Sequence, residues 1–294
     1  MSALARNVAR RSKAVFSAQL RSPFAEYVRV SVKGLNRNTP VLIYQMGKVG
    51  SRTVYDTLSG AGLPYPIYHV HWLSPDGIKE VEERYQNSGS DEMPRHLITS
   101  RVLRRKLEKK KEPWYIITLV RDPIARGISE FFELAWAFWP ELVDEDGCVR
   151  ADDAMGVLQI LFAEFDESTD RASTWFDREL RSVFAIDVYA HGFDLEHGYS
   201  VIRNQEAHVL VLRLENLDRN LAVLGQFLGR KGPVQMVRSN VSAQKKNAET
   251  HRVVMDNLRV PESVCARIYS SRYARHFYSD SMRDGFCRKW SRGS

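Results

Sequence analysis

The run Val41-Leu42-Ile43-Tyr44-Gln45-Met46-Gly47-Lys48-Val49-Gly50-Ser51-Arg52-Thr53 constrains this chain more than any other. An apolar stretch stops at a Gly-Lys-x-Gly-Ser turn and continues as a helix expected over residues 53–58. A strand, a glycine-rich loop and a helix start in succession make a seat for an anion, because unpaired N–H groups and the positive end of the helix dipole meet there. Glycine lets the backbone come close, Lys48 brings a mobile charge, and Ser51 adds a hydroxyl donor. The loop is not of the Walker A type. There the lysine follows the last glycine and a hydroxyl behind it holds Mg²⁺, whereas Lys48 precedes Gly50. Taken alone, the stretch also fits a plain strand–turn–helix connection with a solvated lysine.

A second element narrows the choice. Trp114 to Val120 is an unbroken apolar, aromatic and β-branched run, as in a buried parallel strand, and it ends at Arg121-Asp122-Pro123. Proline drives the residue before it out of the helical region and suits a first helical turn. Asp122 is therefore expected to cap a helix running through Phe131. Ser129 follows Arg121 by eight residues, two turns into that helix. An arginine at a strand end and a hydroxyl on the next helix can clamp a second phosphate, the arginine bidentately.

The Lys-x-Gly-Ser loop and the Arg-Asp-Pro-x2-Arg-x2-Ser segment together resemble the sulfotransferase superfamily. Over residues 41–277 the chain is similar, more narrowly, to the bacterial group labelled capsular polysaccharide synthesis proteins. The resemblance implies an α/β fold, a P-loop-like three-layer α/β/α sandwich around a central, mainly parallel sheet. It implies 3′-phosphoadenosine-5′-phosphosulfate (PAPS) as donor co-substrate. Gly47, Lys48, Val49, Gly50 and Ser51 fall on the loop that cradles the 5′-phosphosulfate, and Arg121 with Ser129 falls on the 3′-phosphate pair. Arg52 stands where many members carry a second Ser/Thr, so it adds a charge or passes the hydroxyl role to Thr53. A late basic loop that closes over the cofactor in that family is matched to residues 238–246, with Arg238 and Lys245; a plain surface loop fits as well.

Composition agrees with an anionic ligand. The chain has 294 residues and a net charge of +7, enough length for one large α/β domain and a balance that suits nucleotides or polyanions. Three scattered cysteines imply neither a disulfide framework nor a zinc site, which makes a reducing, cytoplasmic setting the default. Residues 1–38 carry Arg6, Arg10, Arg11, Lys13, Arg21, Arg29, Lys33 and Arg37 against a single acid, Glu26. They are read as a solvated basic extension, with peripheral contact to an anionic membrane or a transit-like role as alternatives. Residues 39–294 are read as a single domain. No run approaches transmembrane length.

A short second strand is expected over residues 66–72, with His69 and His71 near its C-terminal end. Two residues apart on a strand, they face the same side. His71, nearer the strand end, is the expected general base, with His69 orienting it or touching substrate, because imidazole titrates near neutral pH. Asp76 and Glu80 are the alternative bases. His191, His197, His208, His251 and His276 are read as structural. Further helices are expected over 97–111, 152–165, 172–184, 221–228, 249–258 and 263–277. A hairpin is expected over 199–202 and 207–214, with Glu215 as a structural cap or ion-pair partner.

The expected activity is in-line sulfuryl transfer from PAPS to a hydroxyl, with a carbohydrate as the acceptor class the resemblance favours. His71 takes the proton, and Lys48 with the loop N–H groups stabilises the leaving phosphate; no metal is required. Trp136, Phe138 and Trp139 could stack on sugar, though such clusters are more often core. Two other classes stand behind this reading. One is a P-loop-type nucleotide kinase or NTPase, disfavoured by the lysine position. The other, ranked last, is a non-catalytic basic protein that binds polyanions such as nucleic acid, or membrane, through the +7 charge; nucleic acid is the main rival from composition alone.

Overall fold

Five strands form one sheet in the computed structural model of the protein: β1 (Val41–Tyr44), β2 (Ile67–Val70), β3 (Trp114–Val120), β4 (Tyr199–Arg203) and β5 (Ala207–Arg213). The structure describes residue 30 and residues 40–87, 95–109, 112–237 and 247–292. The basic extension, Arg238 and Lys245 therefore lie outside the described residues, apart from Val30. The spatial order is β2-β1-β3-β5-β4, parallel throughout except for β4, which pairs antiparallel with β5. All four residues of β1 are buried, as is every residue of β3 except Tyr115 and of β5 except His208. Strands covered on both faces need such continuous apolar runs, which is why the sequence reads as runs here and not as alternation.

The helices are α1 (Ser51–Ser59), α2 (Pro75–Asn87), α3 (Arg95–Leu107), α4 (Pro123–Phe138), α5 (Ala151–Ala163), α6 (Leu221–Phe227), α7 (Ala248–Asn257), α8 (Glu262–Tyr269), α9 (Arg272–Phe277) and α10 (Asp280–Arg292). From β1 the chain moves to β2 on one side, then returns past β1 to β3 on the other. Strand order thus reverses between β1 and β3. The loops leaving those two neighbouring strands part in opposite directions and open a crevice beyond their C-terminal ends, the usual place for a ligand in such sheets.

Several expected elements have different bounds. The single helix expected over 263–277 is two, because the Ser271 hydroxyl accepts the Ala274 N–H at 3.2 Å and restarts the chain as α9. The helix expected over 172–184 starts only at a wide π-helical turn, Phe176–Arg181, followed by Ser182–Phe184. Before it, Asp170 holds the Ser173 N–H and hydroxyl, both at 2.7 Å, in a local turn that competes with helix. Helices α2 and α10 were not anticipated. Among the described residues no helix is long and apolar enough to cross a membrane.

A second apolar cluster, separate from the one around the sheet, joins α4, α5, α7, α8 and α10. Its polar anchor is Asp122. One carboxylate oxygen caps α4 by accepting the Ile124 N–H at 3.1 Å and also accepts the Tyr269 hydroxyl at 2.6 Å. The other accepts the Trp290 indole N–H at 2.9 Å. Asp122 is buried, which pushes its carboxyl pKa up, while these three donors pull it down. The Asp122 N–H in turn donates to Glu215 Oε1 at 2.8 Å, so Glu215 is the structural partner the sequence suggested. Asp122→Ala removes the cap and strands two buried donors. Its expected cost is about 3 kcal/mol or more, read as a lower urea midpoint. Asp122→Asn, which keeps one oxygen, should cost less.

Candidate anion-binding crevice

The loop after β1 is pinned at both ends and raised between them. Met46 and Val49 are buried, so Val49 presents only its backbone to the crevice. Lys48 and Gly50 both adopt left-handed backbone, with φ of 68° and 81°. Gly50 needs to be glycine twice over: a Cβ there would also sit 2.4 Å from Leu214 Cδ1. Gly50 provides no side chain to cap α1, and its carbonyl accepts the Thr53 N–H at 3.1 Å. The start of α1, with its dipole, thus opens behind the loop.

Arg121 joins this loop to the second motif. Its Nη1 donates to the Lys48 carbonyl at 3.0 Å and to the Ser129 hydroxyl at 2.9 Å. The backbone behind it is clamped by Tyr273, whose hydroxyl accepts the Arg121 N–H at 2.9 Å and donates to the Arg121 carbonyl at 3.0 Å. Burial lowers the Arg121 pKa, but a guanidinium keeps its charge at any physiological pH. One helical turn beyond Ser129, Glu133 reaches Lys48, with Nζ and Oε2 2.7 Å apart. Glu133 is 57% exposed and Lys48 22%, so the lysine faces the crevice wall while its partner carboxylate is mostly in water.

The two histidines meet beside the same loop, with ring centroids 4.9 Å apart. His71 Nδ1 lies 2.9 Å from the Gln45 carbonyl, which can only accept. The proton therefore sits on Nδ1, and Nε2 carries the basic lone pair. Burial lowers the His71 pKa and the nearby Lys48 charge lowers it further, against the Gln45 bond, so the ring is neutral at pH 7. His69 is pushed down to about 3, first by burial and then by its neighbours His71 and Arg52. Its Nε2 contacts the Ser51 hydroxyl at 2.9 Å. Gln45 is fully buried between them: its Nε2 is 2.8 Å from Ser51 Oγ, 3.1 Å from His71 Nδ1 and 3.3 Å from His69 Nε2. Its Oε1 is buried with no partner. Turned over, the amide would offer that oxygen to the His71 N–H and the Ser51 hydroxyl.

The structure thus brings Lys48, Gly50, Arg121, Ser129 and His71 to one end of the sheet. Ser51 is buried and its hydroxyl is turned towards Gln45 and His69. Arg52 lies along the outside of α1, paired with Asp56 at 2.9 Å and 5.5 Å above the Tyr55 ring. Thr53 is within the first turn of α1. Of the alternative bases, Asp76 is exposed in the first turn of α2, and Glu80 is occupied by Arg84, Arg171 and Arg178. Sequence reasoning gave no role to Gln45 and His96 here, and read His251 as structural. Gln45 positions both histidines; His96 is buried enough to have its pKa lowered to about 4, with His71 contributing; and His251 reaches Ser129. No spacing signal marks any of them.

On the neighbouring face of α4 a groove of about 370 Å³ opens towards α5, lined by Arg126, Glu130, Trp139, Phe165 and Asp170 among others. Arg126 is buried and paired with Glu130 at 2.8 Å and Asp170 at 3.6 Å. Trp139 is half-buried, while Trp136 and Phe138 stand in solvent.

Residues 151–279 match the model of a family described as "Putative capsular polysaccharide synthesis protein". The match spans less than half of the chain. It includes Glu215, His251, Tyr269 and Tyr273, which support the crevice, but neither the β1 loop nor the Arg121–Ser129 segment. No curated protein and no solved structure matches the chain significantly.

The histidine pair sets a pH limit on stability. His69 has a folded pKa of about 3, below its unfolded value near 6.5, so the unfolded chain takes up the proton first as pH falls. Its contribution is complete above about pH 6.5 and is lost progressively towards pH 3. His69→Gln should flatten the fall of unfolding free energy between pH 6.5 and 4, measured by urea titrations. An unchanged slope would remove His69 as its source.

Proposed function

We propose that the protein is a sulfotransferase that moves a sulfuryl group from PAPS to a hydroxyl of a carbohydrate acceptor. The observation that carries this reading is the pair of hydrogen bonds that Arg121 Nη1 donates, to the Lys48 carbonyl and to the Ser129 hydroxyl. Two segments 73 residues apart in sequence, each expected to hold an anion, meet at this one arginine. A ligand with an anionic group at each end of a ribose would engage both segments. The family match over 151–279 supports a role in polysaccharide synthesis, and from it comes the acceptor class.

Lys48 and the N–H groups of the Gly47–Ser51 loop hold the 5′-phosphosulfate and stabilise charge on the departing 5′-phosphate. Arg121 and Ser129 hold the 3′-phosphate, the arginine by a charge-assisted bond. His71 Nε2 takes the acceptor hydroxyl proton as its oxygen bonds to sulfur and the sulfur–oxygen bond to the 5′-phosphate breaks with its electron pair. The resulting imidazolium keeps its Nδ1–H bond to the Gln45 carbonyl, which orients the ring and favours its charge. Glu133 competes with the donor for Lys48 and has to yield when an anion binds. The groove between α4 and α5, with aromatic faces beside carboxylates, suits a sugar chain approaching from that side.

Calorimetric titration of 3′-phosphoadenosine-5′-phosphate (PAP) without Mg²⁺ tests the reading. Lys48→Ala and Arg121→Ala should each weaken binding about 10-fold or more, the loss of one charge-assisted hydrogen bond. Glu133→Gln should tighten it several-fold by freeing Lys48. A folded wild type with no affinity for PAP overturns the proposal.

A further inference from the structure

We infer that His251 is a third ligand for the 3′-phosphate, and that it makes the crevice selective for 3′-phosphorylated nucleotides. The inference rests on the PAPS reading above. His251 Nε2 lies 3.2 Å from the Ser129 hydroxyl, which already accepts the Arg121 Nη1–H at 2.9 Å. Three groups from three elements therefore converge on one point: the end of β3, the second turn of α4 and the first turns of α7.

The histidine is held there by design of the local chain. Its N–H donates to the Asn247 carbonyl at 2.8 Å, and its ring packs on Phe132 with centroids 5.3 Å apart. Asn247 itself is anchored by the Val149 N–H at 2.8 Å, which ties the start of α7 to the base of α5. Its Nε2 is thereby aimed at the hydroxyl that the Arg121 guanidinium engages.

The hydrogen bookkeeping at Ser129 gives the site its chemistry. With Arg121 donating to its oxygen, the hydroxyl has a single proton to give. A phosphate held by Arg121 and Ser129 takes that proton's hydrogen bond. His251 Nε2 must then carry hydrogen and donate, to Ser129 Oγ or to the phosphate itself. Arginine, serine and histidine then supply a fork of donors, and none of the three is an acceptor competing with the anion. His251 contacts Ser129, which the reading above assigns to the 3′-phosphate and not to the 5′-phosphate on the β1 loop. The selectivity is therefore for the 3′ group.

The test compares PAP with adenosine 5′-phosphate, which lacks the 3′ group, by calorimetry on the full chain. It uses wild type, His251→Ala and His251→Gln, with melting temperatures recorded for each. His251→Ala should weaken PAP about 5- to 10-fold and leave adenosine 5′-phosphate within about twofold, as expected for one lost donor. His251→Gln, whose amide can donate, should recover part of the loss. Equal losses for both nucleotides, or none for PAP, would overturn the role of His251 while leaving the PAPS reading in place. Wild type that binds PAP no better than adenosine 5′-phosphate would remove the parent reading itself.

Discussion

The Arg121 guanidinium is the contact on which the crevice depends. It bonds the carbonyl of Lys48 in the loop after β1 and the hydroxyl of Ser129 on α4, so it fixes the distance between two segments that sheet topology sends in opposite directions. Its own backbone is fixed by Tyr273 from α9, and the next residue, Asp122, is fixed by Tyr269, Trp290 and Glu215. The second half of the chain therefore acts as a brace for a site whose charged groups come from the first half. The family match over 151–279 includes the bracing residues Glu215, Tyr269 and Tyr273 but not Trp290, and neither anion motif.

Electrostatics in the crevice are arranged around neutral imidazoles next to fixed cations. Burial and the cationic neighbours Lys48 and Arg52 keep His71 and His69 uncharged, and an uncharged His71 with its proton on Nδ1 is the form that accepts a proton. Gln45 contributes twice, with its carbonyl orienting His71 and its side chain lying between the two rings. The left-handed turn at Lys48 and Gly50 is the one place where the backbone departs from ordinary geometry in this region. Strained backbone tends to gather where a ligand must be approached closely.

Much of this was legible in the sequence wherever a local rule governed the outcome. β3 has the bounds its apolar run implied, because a continuous run stopped by Arg-Asp-Pro leaves little latitude, and Asp122 caps α4 as an aspartate before proline should. Arg121 and Ser129 meet because eight residues across a strand end and two helical turns bring them there. α10 was illegible for the opposite reason. It is a polar helix with one fully buried anchor, Trp290, whose indole partner Asp122 is 168 residues earlier. Gln45 and His96 escaped notice, and the contact of His251 with Ser129 was not foreseen, because these placements depend on tertiary neighbours and not on spacing. The break between α8 and α9 turned on a single serine cap, which an otherwise continuous helical pattern conceals.

A crystal structure of the protein with PAP tests the central claim most directly. The account predicts the 3′-phosphate within hydrogen-bond distance of Arg121 and Ser129, the 5′-phosphate on the Gly47–Ser51 loop, and Lys48 released from Glu133. A nucleotide seated elsewhere, such as in the groove between α4 and α5, or one whose 3′-phosphate points away from Arg121, would contradict it.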